Sequence, residues 1–204
     1  MGSLPWSSSS PNTDLGVSRS ARLKRANALT AVAISSVCST LLALRYPAGP
    51  GRWLVGLLAG LLWANGFEYL YHRYLLHAKR GFQARFHLKH HATTDTVEEP
   101  EHVNLAASPF WVAVMFLLNG AVAVGLDVLF SLRIVSGALL AFGLYFVLVD
   151  EIHWRIHLRG RLPPGLGSAA DYHLMHHNRP DARFNIFLPL FDWLLGTARS
   201  ERAN

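Results

Sequence analysis

Apolar positions in this chain gather into four long runs separated by polar or turn-forming segments, the pattern of membrane-length helices. The first run, Ala28–Leu44, follows Arg19, Arg22, Lys24 and Arg25 and stops before Pro47-Ala-Gly-Pro50-Gly, which predicts a tight turn. A basic stretch ahead of an apolar one also marks a secretory leader. Here the leader would be unusually long, and the run is closer to a short span than to a leader's apolar core, so a retained helix is expected. The second run starts at Trp53 and continues through His77. The third starts at Pro109, with Ser108 as the expected N-cap and proline at the first helical position, and ends near Phe130. The fourth runs from Ile134 through His157.

Runs two and four are 25 and 24 residues long, each about 36 Å as a helix. A ~30 Å hydrocarbon core takes only about 20 of those residues. Counting 20 residues from Trp53 reaches His72, and counting 20 from Ile134 reaches His153. Both helices therefore carry their first histidine out of the membrane at the same end. The serine-rich stretch Met1–Ser20 has little to bury and reads as a disordered tail. Residues 21–204 read as one membrane domain. The fold class expected is all-α: an integral-membrane bundle of about four transmembrane helices.

Composition agrees with that picture. Charged residues make up 16% of the chain and apolar ones 51%, against a charged share of about 25% in soluble domains. The single cysteine, Cys38, excludes a disulfide framework or a cysteine-ligated cluster within one chain and reads as a small packing residue. The net charge of +6 comes with no basic patch interleaved with aromatics, so no nucleic-acid partner is expected. The charge instead sets an orientation. Of the 19 Lys and Arg residues, 16 lie on the side of the N-terminal tail and the histidines, and only Arg45, Arg52 and Arg133 lie on the other. The positive-inside rule then puts both termini and the histidines in the cytoplasm, with a bacterial inner membrane and an endoplasmic reticulum membrane both open. A soluble all-α protein is the alternative, and it leaves this asymmetry unexplained.

Ten of the 11 histidines fall into four motifs: HRYLLH (His72, His77), HLKHH (His87, His90, His91), HWRIH (His153, His157) and HLMHH (His173, His176, His177). Neutral imidazole is the commonest protein ligand for transition metals. In each HxxHH motif the three rings lie on one helical face, within about 60° either side of the first at ~100° per residue. His153 and His157 also share a face. His72 and His77, five apart, do not share one on an ideal α-helix. Either the helix loosens there, as in a π-bulge, or the two rings serve different parts of the site. Ten imidazoles exceed what one metal holds, whereas two metals with four or five nitrogen ligands each would use them all. One HxxxH pair alone is more often a solvated or packed pair than a ligand set; the four motifs together on one membrane side favour a metal site. His102, in the polar stretch Thr93–Asn104 with Glu98, Glu99 and Glu101, is expected to be a loop histidine.

Four acidic residues near the motifs could accept a ligand's second N–H and fix its tautomer. Asp150 stands three before His153 and Glu68 four before His72; Glu151 and Asp171 are weaker candidates. The alternative for each is an interfacial acid paired with an arginine such as Arg155 or Arg73. Trp154 occupies the place where HExxH zinc proteases carry their glutamate base. Paired Glu-x-x-His motifs of carboxylate di-iron bundles are absent too; only Glu99-x-x-His102 fits, in an expected loop. GxSxG, Walker A and GxGxxG motifs are missing as well.

With HRYLLH, HLKHH, HWRIH and HLMHH in that order, the chain resembles the fatty acid hydroxylase/sterol desaturase superfamily of histidine-rich membrane oxidases. The segment Phe184-Asn-Ile-Phe-Leu-Pro-Leu-Phe-Asp-Trp-Leu-Leu-Gly196-Thr197 resembles that family's C-terminal signature, so the likeness runs from about Trp53 to Thr197. The resemblance implies a four-helix membrane base with a cytosolic helical cap carrying a histidine-rich dinuclear metal site, ligated by all ten clustered histidines. It further implies two iron ions as cofactors, with zinc an alternative occupant, and dioxygen as co-substrate. A membrane lipid substrate and a separate electron donor, a ferredoxin or a b-type cytochrome with its reductase, are implied as partners. The order of spacings is most similar to fatty acid 2-hydroxylases, acting on an acyl or ceramide-like lipid. The chain departs from many of those in lacking a fused heme-binding HPGG domain and in its short His77–His87 linker. A carotenoid hydroxylase or a lipid or sterol desaturase remains an alternative within the superfamily. A non-oxidative metal-binding or transport protein and a zinc hydrolase are alternatives outside it.

Overall fold

The computed structural model describes residues 11–199 and is all-helical, without a strand among the described residues. Eight α-helices succeed one another there: α1 Pro11–Arg45, α2 Pro50–Leu70, α3 Phe82–Thr93, α4 Glu99–His102, α5 Pro109–Leu129, α6 Val135–His157, α7 Gly167–Asn178 and α8 Leu190–Leu194. A π-helical turn, Tyr71–Leu76, extends α2. Among the described residues, four stretches are long and apolar enough to cross a membrane: Thr13–Arg45, Pro50–Leu76, Pro109–Leu129 and Val135–His157. These match the four expected runs.

The expected disordered tail is corrected over part of its length. Residues 1–10 lie outside the described residues, but the helix α1 already begins at Pro11. The serine run that suggests disorder ends by Ser10, and the residues beyond it pack. Thr13 and Ser20 are buried. A Cβ at Gly16 would come within 3.3 Å of Pro100. The Ser20 carbonyl accepts from Asn104 at 3.0 Å, and the Ser20 hydroxyl accepts from the Trp154 indole at 3.2 Å. The basic residues Arg19 to Arg25 therefore lie within the helix rather than ahead of it.

The chain forms two compact units, with divisions inside α1, α2 and α6 and one just ahead of α5. One unit comprises Arg25–Gly66 and Ser108–Leu148. In it α2 and α6 meet backbone to backbone: a Cβ at Gly60 would run into the Ala138 main chain, and one at Gly137 into that of Trp53. Small residues at a helix crossing are how apolar helices associate where lipid offers no hydrophobic driving force. Polar bonds join helices in the same unit, from Ser39 Oγ to the Ser136 carbonyl at 2.7 Å and from Asn65 to the Tyr145 hydroxyl at 2.6 Å. Helix α5 begins at Pro109 as expected, but the Ser108 side chain makes no capping bond. Helix α6 is capped from a distance, since the Asp127 carboxylate accepts from the N–H groups of Ile134 and Val135 at 2.8 and 3.0 Å. Many large apolar side chains of these helices are exposed, among them Leu58, Leu118 and Leu129, which suits a lipid solvent.

The other unit comprises, of the described residues, 11–24, Phe67–Ala107 and 149–199. It contains all ten clustered histidines, the loop after α7, and α8.

Candidate metal centre

The ten histidines come together as two groups of five. The first pentad is His72, His77, His87, His91 and His176; the second is His90, His153, His157, His173 and His177. Within each, one ligand atom from every ring lies within 4.8 Å of all the others. Each pentad combines a histidine pair from one long helix, the outer two rings of one HxxHH motif and the middle ring of the other. Helical angles explain the crossing. Rings at i and i+4 stand about 40° apart, while the ring at i+3 points about 60° to the other side. His87 and His91 thus face one pentad and His90 the other; on α7, His173 and His177 face one and His176 the other.

The five-residue spacing of His72 and His77 resolves as a π-helical turn, with the His77 N–H bonded to the His72 carbonyl at 3.2 Å. A π turn closes between residues five apart, and so it delivers both rings to the same pentad.

Outer contacts fix which ring nitrogens face inward. His72 Nδ1 donates to the Phe184 carbonyl at 2.5 Å and His176 Nδ1 to the Ala182 carbonyl at 2.6 Å. His157 Nδ1 donates to Glu99 Oε1 at 2.7 Å. The Thr94 hydroxyl gives its proton to the His90 carbonyl at 3.1 Å and is left to accept from His177 Nδ1 at 2.9 Å. A neutral imidazole protonated at Nδ1 presents a bare lone pair at Nε2. Each of three close Nε2 pairs includes one such lone pair: His72 with His87, His176 with His77 and His157 with His173, each pair 3.0 Å apart. His90 and His153 are buried, and neither ring nitrogen of either has a hydrogen-bond partner among the described residues. A cation bound among them would satisfy all five converging nitrogens of a pentad at once. The donor set, all imidazole nitrogen, suits iron, zinc or copper rather than calcium or magnesium.

Electrostatics favour the same state. Burial, reinforced by neighbouring histidines, holds His77 down at about 4 and His91 at about 3. Burial likewise lowers His87, His90, His173, His176 and His177. Near neutral pH these rings are neutral, the form that ligates a metal. The first pentad is the more open, with His77 and His91 half-buried, whereas in the second only His177 is not fully buried.

A family model for fatty acid hydroxylases matches residues 57–197, more than half of the chain and every histidine motif. The chain belongs to the fatty acid hydroxylase family. Comparison with curated proteins and with solved structures gave no match. Membership makes a lipid hydroxylase- or desaturase-type enzyme the coarse functional class, and the two pentads are groups that could hold metal ions.

The expected supporting acids need correction. Glu68 accepts from the Asn185 side chain at 2.7 Å and from the Ile186 N–H at 2.8 Å. It anchors the loop whose Phe184 carbonyl holds His72, one step further out than expected. Asp150 is buried, but no hydrogen bond joins it to His153; its carboxyl lies against the Leu105 backbone. A shared helical face sets the two side by side without aiming one at the other. Glu151 pairs with Lys24 and Arg155, the arginine alternative. His102 ends the short helix α4 and belongs to neither pentad.

The acid that does bond an imidazole is Glu99. It is 2% exposed, and its second oxygen accepts the Asp95 N–H at 2.9 Å. Burial pushes its carboxyl up to about 7. Its one signal in the sequence is the Glu99-x-x-His102 match, which carries little weight in a segment that reads as a loop. Asp192 gives no such signal. It accepts from the N–H groups of Phe184 and Asn185 at 2.9 and 2.8 Å and from the Thr197 hydroxyl at 2.7 Å, and so fixes the carbonyl that orients His72.

Proposed function

We propose that this protein is a membrane-bound, dioxygen-dependent hydroxylase of a lipid C–H bond, acting on an acyl or ceramide-like substrate. The observation that carries the reading is the pair of all-histidine pentads in a chain of the fatty acid hydroxylase family. In this reading His72, His77, His87, His91 and His176 hold one iron ion, and His90, His153, His157, His173 and His177 hold a second. Breaking an unactivated C–H bond is beyond any side-chain acid or base, and two bound iron ions supply the redox chemistry with dioxygen that the step requires.

The chain's own residues do the rest. The carbonyls of Phe184 and Ala182, the Thr94 hydroxyl and the Glu99 carboxylate keep four rings protonated at Nδ1 and aim their Nε2 atoms inward. Such outer partners also raise a ligand's basicity. Burial of seven of the ten rings keeps bulk water away, and the half-buried His77 and His91 leave an approach on one side. The substrate comes from the membrane, and electrons come from a separate donor, a ferredoxin or a b-type cytochrome with its reductase. The distribution of Lys and Arg supports a cytoplasmic location for the histidines.

The test is turnover of iron-loaded protein in proteoliposomes with a reducing system and isotopically labelled dioxygen, read by lipid mass spectrometry. The reading expects a product that gains one labelled oxygen atom. A product that instead loses two hydrogens would replace hydroxylation with desaturation. No labelled or desaturated lipid from any acyl, ceramide or carotenoid substrate, with iron bound and reducible, would overturn the proposal.

A further inference from the structure

Helix α8 lies outside the four spans, yet its outer face is apolar. Trp193, Leu194 and Leu195 are 63%, 66% and 52% exposed, and Leu188 just ahead of them is exposed as well. The opposite face is firmly attached. The Phe191 ring lies 6.3 Å from that of Tyr69, and the Thr197 hydroxyl, its proton given to Asp192, accepts from the Tyr69 hydroxyl at 3.3 Å. Asp192 is fully buried on the backbone of Phe184 and Asn185. Glu68, next to Tyr69, ties down the same loop through Asn185 and Ile186.

These contacts set the level of α8. Tyr69 belongs to the second span, Pro50–Leu76, near the end at which its apolar stretch runs out. On that same stretch Leu70, Tyr74 and Leu75 are exposed. Arg73 reaches over the Phe184 ring at 5.5 Å, and Arg199, a few residues beyond α8, is exposed. Tryptophan and leucine facing outward at the depth where a span ends, with arginines beside them, are the composition of an element that lies in the headgroup region. Arginine there also meets anionic lipid.

We propose that α8 is an interfacial membrane anchor, which lays Trp193, Leu194 and Leu195 into the headgroup–acyl boundary of the leaflet where the second span ends. A second copy of the chain could also cover an apolar face. The lipid is favoured because the patch is level with the exposed apolar end of a span and flanked by arginine. The anchor also reaches the histidines: Asp192 on its inner face holds the Phe184 N–H, and the carbonyl of the same residue holds His72.

The test is spin-label accessibility in vesicles of phosphatidylcholine and phosphatidylglycerol. In a Cys38→Ala background, Leu194→Cys and, separately, Leu195→Cys are labelled, with Leu70→Cys as lipid-facing control and Lys89→Cys as water-facing control. The anchor predicts that labels at 194 and 195 relax more with molecular oxygen than with a water-soluble nickel chelate, as at 70 and opposite to 89. Preference for the nickel chelate at both positions would overturn it. So would low access to both reagents with dipolar broadening between labels, the signature of a second copy. The measurement needs neither metal nor turnover, so its outcome stands apart from that of the proposed hydroxylase activity.

Discussion

Glu99 is the one carboxylate bonded to an imidazole of the pentads among the described residues, and its removal should separate the two metal positions. One oxygen accepts from His157 Nδ1 at 2.7 Å and the other from the Asp95 N–H at 2.9 Å. Glu99→Gln keeps the shape but has a single acceptor oxygen. Whichever bond it keeps, its amide N–H₂ then faces another donor. Glu99→Ala loses both bonds and leaves the buried His157 Nδ1–H unpaired, a cost of about 1–3 kcal/mol. Loss of such an outer partner typically lowers metal affinity by about 10–100-fold, or about 1.4–2.8 kcal/mol. The assay is metal release from loaded protein into excess chelator, followed by elemental analysis of the retained metal with helicity monitored in parallel. The metal of the second pentad should leave about 10–100-fold faster in both variants, while that of the first pentad keeps its wild-type rate. A wild-type release profile in both variants would refute the role. Equal acceleration of both metals would refute its selectivity.

The same geometry makes other outcomes testable. His90→Ala and His176→Ala each remove one ring from a different pentad, and both should abolish turnover and lower bound metal; His102→Ala, outside both pentads, should keep full metal content. Elemental analysis of the three variants decides it. The lowered histidines give the metal-free protein a pH dependence of definite sign. Their folded values lie below the ordinary 6.5, at about 4 for His77 and about 3 for His91, so below about pH 6.5 the unfolded chain binds protons that the folded one refuses. Stability should be full above that pH and decline as pH falls towards 4; a melting temperature unchanged between pH 7.5 and 5 would contradict this. Gly60→Val, whose side chain would strike the Ala138 backbone, should destabilise the protein by at least about 1–3 kcal/mol, seen as a lower melting temperature in detergent.

Much of this architecture is legible in the sequence, because membrane spans and helical metal motifs both write themselves as spacing. Runs of about 20 apolar residues have few other uses, and the i, i+3, i+4 pattern of HxxHH fixes which rings point together. Even the division of each motif between two pentads obeys the angle between i+3 and i+4. The five-residue gap between His72 and His77 announces a departure from α-helical geometry, and a π turn is what occurs. Long-range support leaves no such trace. Glu99 reaches His157 across 58 positions, and the carbonyls of Phe184 and Ala182 carry no side-chain signature at all. Asp150 shows the converse failure, since a shared helical face brings it near His153 without a bond. The early start of α1 is hidden because Gly16 and Ser20 pack on Pro100, Asn104 and Trp154, all distant in the chain.

The most direct test of the central claim is the metal content of the detergent-purified protein, with iron and zinc quantified per chain and an anaerobic reduction spectrum recorded beside them. Two pentads predict about two metal ions per chain, and the hydroxylase reading predicts that bound iron responds to reductant. Fewer than one metal per chain after reconstitution with iron would contradict the account.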